Sequence, residues 1–117
     1  MTEHRLIHHI KKASEQHLES VIKDRRHLHM HPELSFQEQA TGRYIQDRLR
    51  DLGIPFTAGW AEHGVVAEIQ GAKPGKGFMA LRADIDALPI LEENEVPYRS
   101  QNPGVMHACG HDVHTSS

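Results

Sequence analysis

Apolar residues in the first quarter of the chain recur at intervals of three and four positions. They are Leu6, Ile7, Ile10, Ala13, Leu18, Val21, Ile22 and Leu28. This spacing fits the period of an α-helix much better than the alternation expected of a strand. The sequence therefore predicts one long helix, or two consecutive helices, before residue 30.

The next segment, "HPELSFQEQATGRYIQDRLRDLG" (residues 31–53), predicts another helix with a signal at each end. Ser35 stands three positions before Glu38, which is the spacing of an N-terminal capping box. Gly53 occupies the place where a left-handed residue commonly ends a helix. The predicted buried stripe of this helix consists of Ala40, Tyr44, Ile45, Leu49 and Leu52.

The hydrophobic period changes after Gly53. Three short apolar segments, "IPFTAGW", "GVVAEIQ" and "GFMALRAD", predict strands, and the turn-rich "GAKPGK" predicts a hairpin between the last two. Residues 85–105 contain three prolines and no sustained period, so we expect mostly loop there. Two helices followed by a small mixed sheet indicate an α/β fold class.

Composition narrows the classes of function. The 117 residues allow one modest domain with a thin core, since only six side chains are Phe, Tyr or Trp. A net charge of -3 argues against nucleic acid and against an acidic membrane surface as partners. No apolar run approaches the roughly 18 residues of a membrane span, and a single cysteine suits a reducing compartment, so we expect a cytoplasmic protein.

The segment "GVMHACGHDVHTSS" (residues 104–117) concentrates potential metal ligands. On an extended backbone His107, Cys109 and His111 would point to one side, because they lie two positions apart. Thiolate and imidazole groups suit zinc and other late divalent metals of the first transition row. The alternative is an inert buried thiol beside solvent-facing histidines. A serine nucleophile is rejected because Ser116 and Ser117 lack a nucleophile-elbow context.

Charged residues end the third predicted strand in "LRADIDALP" (residues 81–89). Taken alone, Arg82 with Asp84 or Asp86 is best interpreted as a surface ion pair. The alternative is a carboxylate that holds a metal-binding histidine in one tautomer.

Three alternating histidines, His27, His29 and His31, close the first predicted helix. An extended segment of this kind could bind metal. Pro32 pushes the preceding residue out of helical geometry, which favours capping or packing roles for these histidines.

Three motifs in this order, "RRHLHMHPELSFQE", "ALRADIDALPILEE" and "GVMHACGHDVHTSS", resemble the N-terminal part of a family of metal-dependent amidohydrolases. The family includes hippurate hydrolase, N-acyl-L-amino-acid amidohydrolase and the plant hydrolases of auxin conjugates. The resemblance runs from about Arg25 to the last residue. It implies two divalent metals (Mn, Zn, Ni or Co) in an α/β catalytic domain that carries an inserted lid. It also implies that Cys109 is the bridging thiolate, His111 a terminal ligand, and Asp84 a carboxylate behind the metals.

The implied reaction is hydrolysis of N-acyl or amide bonds in amino-acid conjugates by a metal-bound hydroxide, with a small N-acylated amino acid or peptide as substrate. Family members are considerably longer, and their general-base Glu pair, further histidines and lid follow the region matched here. Glu92 and Glu93 precede the Cys-Gly-His segment, so we expect them to be solvated charges.

Residues 1–117 are therefore interpreted as a partial catalytic domain, truncated at its C-terminus, without the lid and inactive alone. Exposed sheet edges would favour self-association. The alternative is a stand-alone metal-binding or assembly module without catalysis.

Overall fold

Three helices and one hairpin make up the regular structure of the computed structural model, which describes residues 2–73 and 75–117. The elements are α1 (Glu3–Met30), α2 (Gln39–Asp51), β1 (Phe56–Trp60), β2 (Gly64–Ala67) and α3 (His111–Ser116). The predicted α/β class, with two helices ahead of a small sheet, is confirmed. The first helix is continuous over 28 residues. No helix within the described ranges is long and apolar enough to cross a membrane.

The start of α2 differs from the prediction. Glu38 makes no capping hydrogen bond with its side chain, so the proposed capping box with Ser35 is wrong. The carboxylate of Glu33 instead accepts hydrogen bonds from the amides of Ala40 (3.1 Å) and Thr41 (2.6 Å). A turn over residues 34–37 separates Glu33 from the helix and lets its carboxylate reach the free amides of the first turn.

The end of α2 agrees with the prediction. Gly53 has φ +67°, and its amide donates to Arg50 O (2.9 Å) while the amide of Ile54 donates to Leu49 O (2.9 Å). This pair of bonds is a Schellman motif, which requires a left-handed residue at the glycine position. The predicted stripe is only partly covered: Tyr44, Ile45 and Leu49 are half-buried, whereas Ala40 and Leu52 are exposed.

The hairpin joins the first two predicted strands rather than the last two. Strands β1 and β2 pair antiparallel, with Phe56 opposite Ala67 and Trp60 opposite Gly64. Within the described ranges no strand includes residues 77–84, and the side chains of Phe78 and Leu81 are 90% and 96% exposed. The predictions of a third strand and of its hairpin are wrong, because no described strand pairs with this apolar segment; Pro74 of the predicted turn lies outside the described residues. The sheet that is described is antiparallel rather than mixed.

Most of the deeply buried residues lie where the end of α1, the loop of residues 85–107 and α3 meet. The buried apolar side chains are Leu28, Ala87 and Val105, and the buried polar ones are His29, Glu38, Thr41, Glu92, His107 and Asp112. As predicted, residues 85–105 form no helix or extended strand. Isolated bridges hold this loop, from Ala87 to Leu34 and from Leu88 to Met106. The core is thin, and much of it is polar.

Candidate metal centre

An open groove of about 810 Å³ runs between α2, the hairpin and residues 81–86. Asp84, Asp86 and His111 line the groove together, although His111 lies 25 or more positions away in sequence. The structure therefore brings two predicted site residues, Asp84 and His111, to one surface. Asp86, predicted as one of two possible ion-pair partners of Arg82, lies beside them.

His111 is the first residue of α3, and its ring is held from one side. The Nδ1 atom lies 3.0 Å from Oδ1 of Asp86 and 2.9 Å from the Asp86 backbone oxygen. Because both of these oxygens accept hydrogen bonds, Nδ1 carries a hydrogen, and Nε2 is the nitrogen that could bind a metal. A histidine whose Nδ1 donates to a carboxylate or carbonyl is the usual form of a metal-binding imidazole.

Asp84 occupies the other side of the His111 ring. Its Oδ2 lies 3.9 Å from Nε2 of His111, while its Oδ1 accepts a hydrogen bond of 2.5 Å from Arg82. Thr115 of α3 donates to the Asp84 backbone oxygen (2.9 Å), which ties residues 84–86 to the helix. The surface ion pair predicted for Arg82 and Asp84 is present. The predicted role of Asp84 toward the metals stays a prediction, because the closer carboxylate to the ring is that of Asp86.

The predicted arrangement of His107, Cys109 and His111 on one side of an extended backbone is not formed. His107 is buried, Cys109 is exposed and His111 is half-buried, because the chain is not extended here and α3 begins at His111. The alternative of a buried inert thiol is also wrong. Within residues 2–73 and 75–117, no three His, Cys, Asp or Glu side chains are grouped closely enough to hold a metal ion.

His107 differs from its neighbours in having no partner for a buried atom. Its Nε2 is buried and has no hydrogen-bond partner among the described residues. Burial lowers the pKa of His107, and the nearby Asp112 carboxylate opposes this only in part. The ring is therefore neutral near pH 7.

The donor atoms fit part of a divalent metal site. Cys109 offers an accessible thiol, and His111 offers an oriented Nε2 beside the Asp84 carboxylate. Thiolate, imidazole and carboxylate are the ligands of zinc and related metals. Gly110, between Cys109 and His111, lies against the His114 ring, where a Cβ would be only 3.0 Å from the nearest ring atom.

A buried polar network lies directly behind α3. His29 accepts or donates at both ring nitrogens, with Nδ1 2.8 Å from Asp112 Oδ2 and Nε2 2.9 Å from Glu92 Oε1. Arg25 donates to the same Asp112 oxygen (3.0 Å). Ionised carboxylates only accept, so hydrogen on both nitrogens of His29 satisfies both contacts. The network joins two carboxylates to a guanidinium and to the His29 ring.

The prediction of a solvated Glu92 is wrong, because the loop folds back over it. Its side chain is 2% exposed and accepts hydrogen bonds from the Ser100 amide (2.5 Å) and Asn94 (3.2 Å) as well as from His29. Burial by itself would raise the pKa of Glu92, but these hydrogen bonds outweigh burial and lower it below the ordinary value. No local pattern around residue 92 indicates this burial, because His29, its partner from α1, lies 63 positions away in sequence.

Of the three alternating histidines, His27 packs against α2 and His31 is the C-cap residue of α1, as predicted, whereas His29 joins the buried network. The His27 ring stacks on Tyr44 with centroids 3.8 Å apart, and burial lowers the pKa of His27. His31 follows α1, and its amide donates to the carbonyls of His27 and Leu28.

Comparison with known proteins agrees with this arrangement. Residues 80–117 match the model of peptidase family M20/M25/M40. The structure of Bacillus subtilis YXEP, described as a dinuclear metal binding peptidase from the M20 family, superposes with a TM-score of 0.78 at 48% identity, over 83% of this chain and 27% of that one. This chain corresponds to the N-terminal part of the M20 amidohydrolases and peptidases. The resemblance found from the sequence is confirmed.

Two curated relatives extend the similarity over most of the chain. An N-acyl-L-amino acid amidohydrolase of Geobacillus stearothermophilus is 48% identical over 92% of this chain and 29% of its own length. An uncharacterized hydrolase of Staphylococcus aureus strain USA300 is 57% identical over 86% of this chain and 25% of its own length. The chain thus spans about a quarter of the length of the relatives it matches.

Proposed function

We propose that these 117 residues provide part of the catalytic centre of a metal-dependent amidohydrolase that cleaves N-acyl or amide bonds of amino-acid conjugates. The observation that carries the proposal is the His111 ring, held at Nδ1 by Asp86 with Nε2 free at the groove beside Asp84. Support for the substrate class comes from the similarity to an N-acyl-L-amino acid amidohydrolase.

Each residue in this proposal has a distinct role. Cys109 and His111 would hold divalent metal, and Asp86 would keep the His111 ring in its metal-binding tautomer. Asp84 would place a negative charge next to the metals, and the hydrogen bond from Arg82 would hold its carboxylate in place. A pair of divalent cations (Mn, Zn, Ni or Co), when bound, would supply Lewis acidity toward an amide carbonyl and would lower the pKa of water. The groove would receive the small acylated amino acid or peptide.

The donors in the described part of the chain are too few for a complete dinuclear site. With Cys109 and His111 as the protein ligands, most coordination positions would be left to water. We therefore propose that full activity needs further protein ligands and a general base, and that the 117 residues alone bind metal weakly and show negligible turnover.

A metal-binding or assembly module without catalysis is the second candidate. The observation that favours it is the exposed apolar segment of residues 77–83, which offers a surface for a protein partner. Both candidates share the metal ligands and differ in whether an acylated amino acid binds beside them.

Cobalt(II) titration of the 117-residue chain tests the metal ligands, because a thiolate bound to cobalt gives an intense near-ultraviolet absorption. We expect the band in the native chain and its loss in Cys109→Ser. Asp86→Asn should weaken cobalt binding about 10- to 100-fold, the usual effect of removing the partner of a ligating histidine. His9→Ala, on the exposed part of α1, is the control and should bind as the native chain does. A Cys109→Ser chain with an unchanged spectrum would contradict the proposal.

Adding an N-acetyl or N-benzoyl amino acid to the cobalt-loaded chain separates the two candidates. A change in the visible cobalt bands is expected of an amidohydrolase centre, and an unchanged spectrum favours the module. Rapid hydrolysis of these substrates by the 117 residues alone would refute the need for further ligands.

A further inference from the structure

We propose that His29 is a positioning residue for the metal centre, and that it acts on His111 through Asp112 and the first turn of α3. The proposal rests on the metal-binding role of His111 argued above. It concerns a residue that belongs to α1, lies outside the groove, and does not touch the candidate ligands directly.

The ring of His29 is held on both sides. Nδ1 contacts Asp112 at 2.8 Å and Nε2 contacts Glu92 at 2.9 Å, and the residue is 3% exposed. Rotation of the ring would break at least one buried hydrogen bond, which is costly in a site closed to water. His29 is therefore a rigid link between the end of α1 and two distant segments.

Asp112 connects His29 to the first turn of α3 through hydrogen bonds. Its Oδ2 faces His29 and Arg25 of α1, while its Oδ1 accepts a hydrogen bond of 3.0 Å from the Val113 amide. The residue is 1% exposed. A helix of six residues is too short to be stable by itself, so the placement of α3 depends on such contacts.

His111 precedes Asp112 in the first turn of α3, so its position depends on the same contacts. A shift of the first turn of α3 would move Nδ1 of His111 away from Asp86 and turn Nε2 from the groove. Misplacement of a functional group by about 1 Å can cost about 100-fold in activity. The contact that matters is the one from His29 to Asp112, while the contact to Glu92 stabilises His29 from the opposite side.

Two substitutions at His29 separate positioning from simple stabilisation. The amide of asparagine reaches the place of Nδ1, so His29→Asn can keep the bond to Asp112 and lose the bond to Glu92. The amide of glutamine reaches the place of Nε2, so His29→Gln does the opposite. Each variant loses one buried hydrogen bond, and both should lose similar stability.

Cobalt affinity, read from the thiolate absorption, should fall about tenfold or more in His29→Gln. In His29→Asn it should stay within about threefold of the native value, the uncertainty usual for such contacts. His27→Gln is the matched control: it alters a half-buried histidine of the same helix that stacks on Tyr44, and it should leave the affinity unchanged. Unfolding experiments on each variant establish the fraction folded.

Equal losses of affinity in His29→Asn and His29→Gln would overturn the proposal, as would native affinity in folded His29→Gln. If His29→Gln does not fold, Arg25→Gln removes the other contact from α1 to Asp112 and should weaken cobalt binding more than Glu92→Gln does. The reverse order would overturn the proposal.

Amide hydrogen exchange in α3 supplies a readout that needs no metal. Exchange should accelerate in His29→Gln and stay near native in His29→Asn. A native chain without the thiolate band would refute the proposed metal site, whereas unchanged α3 exchange in His29→Gln would refute the positioning role.

Discussion

Residues 77–83 and residues 85–107 are neighbours in the chain with opposite behaviour. The first segment has the apolar, strand-like composition of "GFMALRA", yet Phe78, Met79 and Leu81 are each at least 90% exposed. The second has three prolines and no regular element, yet it contains buried Ala87, Glu92, Val105 and His107. Local composition therefore predicts the wrong one of the two to be well packed.

The difference lies in the partners that each segment finds. The amide of Ala87 donates to Glu33 O (2.7 Å), and Leu88 pairs with Met106. Glu92 is enclosed by His29 and Ser100. Within the described ranges residues 77–83 pair with no strand. A strand needs a neighbour to satisfy its backbone groups, whereas a loop with enough hydrogen bonds from outside can be rigid without a repeating pattern.

The largest expected loss of stability comes from a substitution in the buried hydrogen-bond network around His29 and Asp112, which holds residues 85–107 and α3. Asp112→Asn should lower the free energy of unfolding by about 3 to 5 kcal/mol, because it leaves His29 and the half-buried Arg25 without their carboxylate. Urea denaturation measures the change. Asp47→Asn is the matched control, since it breaks an exposed ion pair with Arg50 and should cost less than about 1 kcal/mol. Equal costs would show that the order of residues 85–107 does not depend on this network.

Substitution by alanine should cost much more stability at the buried Leu28 than at the exposed Leu81. Leu28→Ala empties a buried position and should cost about 2 to 5 kcal/mol. Leu81→Ala removes a side chain that is 96% exposed and should change stability by less than about 0.5 kcal/mol. A cost for Leu81→Ala close to that for Leu28→Ala would mean that residues 77–83 are covered in solution, for example by self-association.

The smallest expected effect is on the pH dependence of stability, to which Glu92 contributes. Its pKa is lower in the folded chain than its ordinary value of 4.5, so the unfolded chain binds the proton more readily. The stabilising contribution is complete above pH 4.5 and is lost as the pH falls through the folded-state pKa. Thermal unfolding midpoints between pH 7 and pH 3 should fall less steeply in Glu92→Gln. Glu93→Gln, at the exposed neighbour, should keep the native slope; a loss of slope there instead would refute the assignment to Glu92.

Several parts of the fold were predictable because they rest on local chemistry. The helical period before residue 30, the left-handed Gly53 and the proline-rich loop each follow from residues close in sequence. The capping of α2 was not predictable in this way, because Glu33 acts across a turn. The prediction of a third strand was wrong because a strand needs a pairing partner, and the sequence of the segment does not show whether one is present.

The candidate site likewise has features that local sequence predicted and features that depend on residues distant in sequence. The motifs indicated the similarity to the M20 amidohydrolases and peptidases, and Cys109, His111 and Asp84 remain predicted functional residues. The contact of His111 with Asp86, rather than with Asp84, and the burial of Glu92 depend on distances between residues far apart in the chain. The prediction that His107, Cys109 and His111 point to one side was wrong, because the start of α3 interrupts the extended backbone that it required.

The sequence by itself determined the two long helices, the loop, the chemical types of the donors and the similarity to the M20 amidohydrolases and peptidases. Periodicity, proline and glycine chemistry and short motifs act over a few residues, so they can be read from the chain. Only the tertiary structure decided which carboxylate orients His111, which histidine is locked between two acids, and which apolar segment stays uncovered. Those outcomes depend on burial and on hydrogen bonds that join positions 25 to 87 residues apart.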